Sequence, residues 1–170
     1  SGATLTVEPG VTVKANAAFG ITVGSGVSSI GILNAQGTAA QPITFTTNNA
    51  VPAAGQWAGI NLAFTNANTI LDHCVIEYAG TGTNDTNLRI ASSTPTIRNS
   101  TIRFSDGRGI NTLTSAPILE NNTVTDNGTY GVYIDDWASA PSNPVFQNNT
   151  VNNNGSYPLH VELTHFPFPF

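Results

Sequence analysis

Apolar residues recur two apart in short runs along the whole chain: TLTV, VTVK, GITV, PITFT, GINL, CVIEY, LRI, GVYI and PLHV. Two is the period of a strand, whose side chains alternate between faces. Gly, Asn, Asp and Pro, the residues that turn a chain, punctuate the runs. No stretch carries the three-and-four spacing of an amphipathic helix. The pattern predicts an all-β chain of short strands.

Three runs belong to a repeated phrase. PTIRNSTI (Pro95–Ile102), PILENNTV (Pro117–Val124) and PVFQNNTV (Pro144–Val151) align without gaps. Ile97, Leu119 and Phe146 hold the third position, and Ile102, Val124 and Val151 the last. Ile110, Val132 and Leu159 each follow eight residues later, and GTYGV and GSYPL match around them. A fainter copy, TILDHCVIEY, aligns Leu71, His73 and Ile76 with the third, fifth and last positions. The unequal steps arise between the second block and the next Pro, with Asp135–Asn143 the longest insertion. Insertions that respect the strands map to loops.

A repeat of this length with three short strands predicts a parallel β-helix. One coil cannot bury its apolar face alone; coils stacked about 4.8 Å apart bury a continuous column. Asn99, Asn121 and Asn148 fall at a sharp corner, where Asn tolerates a left-handed backbone. They are expected to face inward as a ladder of amides, with His73 at its end. At roughly 24 residues per coil, about seven coils are expected in a single domain. Residues 1–65 read as irregular entry coils and 66–170 as regular repeats. The closing FPFPF reads as the start of an eighth coil, so the chain is expected to be a segment of a longer protein.

Charge narrows the function classes. Only 9% of residues are charged, five of them Lys or Arg, and the net charge is −5. Nucleic acid and anionic membrane surfaces both call for a basic footprint. No apolar run approaches the roughly 18 residues of a membrane helix. The one cysteine, Cys74, can form no internal disulfide; it takes the corner position held by Ser100 and Asn122 and reads as a small buried thiol.

The three phrases, their N-x-T-[IV] corner and the G-V-x-I return resemble the right-handed parallel β-helix repeat of the pectin-lyase-like superfamily. The entry stretch, from LTVEPGVTVK to LDHCVIEYAG, resembles that of β-helix domains in large secreted or cell-surface bacterial proteins. The resemblance spans almost the whole chain and implies a right-handed coil, the hand parallel crossovers prefer, in an extracellular or cell-surface setting. The superfamily includes polysaccharide lyases, polygalacturonase-like hydrolases and non-catalytic surface modules. Of the hydrolase motifs only the D-D pair is matched, by Asp135-Asp136; N-T-D, G-H-G and R-I-K are absent. The acidic cluster of calcium-dependent pectate lyases is not found in register, so no cofactor is expected and calcium has no support.

Strand alternation turns Asn61, Arg89, Asn111, Tyr133 and His160 outward in one column. In enzymes of the resembling family this face lines the substrate groove. Arg89, Asn111, Tyr133 and His160 are therefore substrate-binding candidates, with Tyr133 or His160 as a base; the same residues equally suit a solvated sheet face. The Asp135, Asp136 and Trp137 loop adds two carboxylates, suited to hydroxyls, calcium or acid/base hydrolysis, and a ring that can stack on sugar. Alternatively, Trp137 covers the coil. Trp57 reads as packing, and Asp106-Gly-Arg108 as a turn with a surface ion pair. The outward column Thr101, Thr123 and Thr150 raises ice binding, but only the middle coil adds a second threonine, Thr125. The expectation is a non-catalytic extracellular module, a rigid spacer or glycan-contacting surface, with polysaccharide and the flanking domains of its parent chain as partners. The alternative is a lyase or glycoside hydrolase fragment acting on acidic polysaccharide.

Overall fold

A computed structural model describes residues 2–17, 19–82, 85–136 and 141–163. Its strands come three to a coil. The first coil is β1 (Thr4–Val7), β2 (Thr12–Ala15) and β3 (Ile21–Val23); the second is β4 (Ile32–Gln36), β5 (Ile43–Thr47) and β6 (Ile60–Ala63). Then follow β7 (Ile70–Asp72), β8 (Cys74–Glu77) and β9 (Thr86–Ala91), and β10 (Thr96–Arg98), β11 (Thr101–Arg103) and β12 (Arg108–Leu113). The last two coils are β13 (Ile118–Glu120), β14 (Thr123–Thr125) and β15 (Val132–Asp136), and β16 (Val145–Gln147), β17 (Thr150–Asn152) and β18 (Leu159–Leu163).

Every third strand pairs in parallel, giving three six-stranded sheets: β1-β4-β7-β10-β13-β16, β2-β5-β8-β11-β14-β17 and β3-β6-β9-β12-β15-β18. This is a parallel β-helix. Six coils are described, where the repeat length led us to expect about seven. The register shows why: Thr4 pairs with Ile32, Asn34 with Ile70, Thr96 with Ile118 and Ile118 with Val145, so a coil advances 28, then 36, and only later 22 and 27 residues. The second coil's excess lies in the loop before β6, whose Trp57 is buried and donates its indole N–H to the Glu77 carbonyl at 2.8 Å. FPFPF lies outside the described residues.

The inward positions of the repeat stack as the sequence pattern requires. Val7, Ala35, Leu71, Ile97, Leu119 and Phe146 form one column. Val13, Phe45, Ile76, Ile102, Val124 and Val151 form the second. The third sheet contributes Ile60, Leu88, Ile110 and Val132, and beside them Leu62, Ile90, Thr112 and Ile134. Thr112 is the exception in that row: it is fully buried between Ile90 and Ile134, and its hydroxyl has no partner among the described residues. A buried hydroxyl without a hydrogen bond is destabilising. Thr112→Val, which keeps the shape, is expected to raise the unfolding free energy by about 1 kcal/mol, read as a higher urea midpoint at unchanged slope. A lower midpoint would show that the hydroxyl is satisfied.

The corners follow one rule three times. A residue with positive φ makes the bend, and in most coils the next residue points inward and accepts the main-chain N–H of the coil before; the Ala79 N–H is an exception, taken by Asn87 Oδ1 at 2.9 Å. At the first corner the bending residues are His73, Asn99, Asn121 and Asn148, with φ between 48° and 54°. The position is the one expected, but the inward orientation is not: Asn99, Asn121 and Asn148 are exposed. The ladder is built one residue later. Cys74 N–H donates to Ser100 Oγ, Ser100 N–H to Asn122 Oδ1 and Asn122 N–H to Asn149 Oδ1, all at about 3 Å. Left-handed tolerance and the buried amide are separate demands, met by adjacent residues. Cys74 is thus a buried member of the ladder, and burial pushes its thiol up to about 12.

At the second corner Tyr78, Phe104, Asp126 and Asn153 bend the chain. There Ser105 N–H donates to Asn127 Oδ1 and Asn127 N–H to Asn154 Oδ1. At the third corner Phe64, Ser92 and Thr114 bend, and Thr65, Ser93 and Ser115 pass their N–H groups to Ser93, Ser115 and Ser142 hydroxyls.

Candidate functional site

The outer face of the third sheet is assembled by register. Asn61 pairs with Arg89, Arg89 with Asn111, Asn111 with Tyr133 and Tyr133 with His160, so the column expected from the repeat is continuous. Beside it Leu113 pairs with Asp135, and Asp135 with Glu162. Asp136 ends β15; Trp137 lies outside the described residues.

Aromatic rings dominate one end of this face. Tyr133 and His160 stack, their ring centres 5.0 Å apart and 10° from parallel. Tyr130 and Tyr157 form a second stack at 6.2 Å and 13°, and Tyr130 leans on both Tyr133 and His160 at 5.2 and 4.9 Å. The Arg108 guanidinium lies 4.4 Å over the Tyr133 ring, a favourable placement of a cation on an aromatic face. Tyr133 is thereby covered, with 7% of its surface exposed, whereas Tyr157 keeps 61%. A ligand reaches Tyr157 and His160 before Tyr133.

The polar groups are only partly satisfied. Arg89 Nη1 donates to Asn61 Oδ1 at 3.0 Å. Burial lowers the Arg89 guanidinium from its ordinary range, and the nearby Asp135 carboxylate opposes that shift. Arg108 Nη1 donates to Asp85 Oδ1 at 2.6 Å, so its ion-pair partner is Asp85 and not the Asp106 suggested by sequence proximity. Asn111 Oδ1 and Arg108 Nε are buried without partners among the described residues. Burying a polar atom without a hydrogen bond is unfavourable; both atoms are shielded from solvent, so the group a ligand meets first on this face is the exposed Tyr157.

Tyr130, Tyr157 and Arg108 were not singled out from the sequence as site residues. The signal for the tyrosines was present: GTYGV and GSYPL align them at the same place in successive coils. Arg108 was hidden because its role depends on Asp85 and Tyr133, both remote in sequence.

Other features of the sequence carry less. The Thr column of the second sheet reads Thr44, Val75, Thr101, Thr123, Thr150, and its neighbour Thr46, Glu77, Arg103, Thr125, Asn152. The Glu77–Arg103 ion pair at 2.7 Å interrupts any flat threonine array. Among the described residues, no three His, Cys, Asp or Glu side chains come together to hold a metal ion. Two cavities, of about 1010 and 510 Å³, lie apart from the aromatic end of the column: one around Gly24–Ile32, reaching Thr22, which pairs with Asn61, and one at the second corner.

Compared with known proteins, the chain matches a family model described as "Right handed beta helix region" over residues 28–166. Neither the curated proteins nor the solved structures searched yielded a match.

Proposed function

Since the chain belongs to the right-handed β-helix family, we propose that it serves as a rigid, non-catalytic module of a secreted or surface-anchored bacterial protein, and that the outer face of its third sheet contacts a glycan. The observation that carries this reading is the cluster of Tyr130, Tyr157, Tyr133 and His160 at one end of that face. Sugar rings present apolar C–H faces and a rim of hydroxyls. Aromatic rings pack against the first, and the Tyr157 hydroxyl and the His160 imidazole can hydrogen-bond the second. Stacked coils satisfy their own backbone and so hold such a face in fixed register. The low charge and Asn- and Thr-rich surface fit an extracellular setting.

The test is binding to a broad glycan array. We expect selective binding that falls about tenfold, roughly 1.4 kcal/mol, in Tyr157→Ala and again in His160→Ala. Failure to bind any glycan, or binding indifferent to both substitutions, would leave the module a spacer.

A second reading, a glycoside hydrolase or polysaccharide lyase fragment, has one observation in its favour. Asp135 and Glu162 sit in register on neighbouring strands, an adjacent pair of carboxyl groups of the kind glycosidases employ. Against it, Tyr133, a candidate base, is buried beneath Arg108 and against His160.

A further inference from the structure

The second corner carries a groove that the third-sheet face does not use. It measures about 510 Å³ and is lined by Tyr78, Phe104, Asp106, Asp126, Asn153 and the glycines Gly128 and Gly155, among others. Coil stacking explains the glycines: a Cβ at Gly128 would lie 2.0 Å from the Asp106 carbonyl oxygen, and one at Gly155 2.1 Å from that of Gly128. The result is a trough without side chains on its floor. Its walls are less easily explained by packing. Tyr78 and Phe104 hold left-handed backbones, φ 64° and 57°, at positions that Asp126 and Asn153 fill in the next two coils. Bulky residues take this conformation at a steric penalty that Asn and Asp largely escape. The two rings stack at 5.2 Å and 21°, and Asp106, Asp126 and Asn153 are exposed beside them.

We propose that this groove binds a neutral pyranose chain. The aromatic pair offers an apolar wall for a sugar face. Asp106 and Asp126 accept hydrogen bonds from hydroxyls, and Asn153 both donates and accepts. The charge decides the class. Two exposed carboxylates repel an anionic sugar, and the cation beside them, Arg103, is engaged with Glu77 at 2.7 Å and lies 5.0 Å over the Phe104 ring. The site is independent of the glycan contact proposed for the third sheet.

The experiment is titration of the ¹⁵N-labelled protein with β-1,4-linked tetrasaccharides of glucose, mannose and xylose, with a tetragalacturonate comparison. We expect saturable shifts of the Gly128, Asn153 and Gly155 amides with at least one neutral probe. Affinity should fall about tenfold in Phe104→Leu and in Asp126→Asn, the latter an exposed residue whose change leaves packing intact, and should be unaltered in Tyr157→Ala. No saturable shift at these amides with any neutral probe would overturn the proposal. So would equal shifts with tetragalacturonate, or undiminished binding by Asp126→Asn. Shifts confined to Tyr157 and His160 would support the third-sheet reading while refuting this one.

Discussion

Asn127→Ala is expected to lower the unfolding free energy by about 3 kcal/mol, the order of leaving buried polar groups without partners. Asn127 is 2% exposed and ties its own coil to three others. Its Oδ1 accepts the Ser105 N–H at 3.0 Å and the Asn87 side-chain amide at 3.2 Å. Its Nδ2 donates to Asn154 Oδ1 at 2.9 Å and to the Thr125 carbonyl at 3.1 Å. Alanine removes these bonds and a longer one from Nδ2 to the Ile102 carbonyl at 3.4 Å, and the interior offers Ser105 N–H no substitute. Asn127→Ser is expected to lose less, because a hydroxyl performs the same task in the first ladder, where Ser100 accepts the Cys74 N–H. Urea unfolding measures both. A loss below about 0.5 kcal/mol for alanine, within the range of ordinary surface substitutions, would mean that the ladder does not hold the coils.

Leu88→Ala should cost a similar amount, about 3–4 kcal/mol. Leu88 is fully buried in the third sheet's inner column, with Ile60 in the coil before and Ile110 in the coil after. Truncation removes apolar contact with both neighbours and leaves a cavity that two rigid sheets cannot close. In a solenoid the stabilising terms are those between adjacent coils, so one central residue weakens two interfaces. Val151→Ala in the last described coil provides the contrast. Val151 is half-buried, and its loss is expected to stay near 1 kcal/mol. Equal losses at both positions would contradict a core organised by coil stacking.

Much of this was legible because the repeat writes the register directly. Ile97 aligns with Leu119 and Phe146, Ile102 with Val124 and Val151, and Ile110 with Val132 and Leu159, as the phrases imply. The outward column through Arg89, Asn111, Tyr133 and His160 followed from strand alternation alone. The ladder was displaced by one residue because the sequence offers Asn at both adjacent positions, Asn121-Asn122 and Asn148-Asn149. Only Asn99-Ser100 separates the residue that bends from the residue that bonds. The serine ladder at the third corner was also written in the chain. Ser93, Ser115 and Ser142 recur at the same steps as Pro95, Pro117 and Pro144, but serine in a turn-rich chain does not advertise burial. The pairing of Arg108 with Asp85 and its placement over Tyr133 had no local signature, since both arise from neighbouring coils.

We propose that the third-sheet face holds glycan without cutting it. The most direct test is the chain length of a polysaccharide that the protein binds, measured after prolonged incubation at saturation. We expect an unchanged length distribution, with no new reducing ends and no unsaturated products. Progressive shortening that Asp135→Asn or Glu162→Gln abolishes would contradict it and make the pair of carboxylates in register the catalytic machinery.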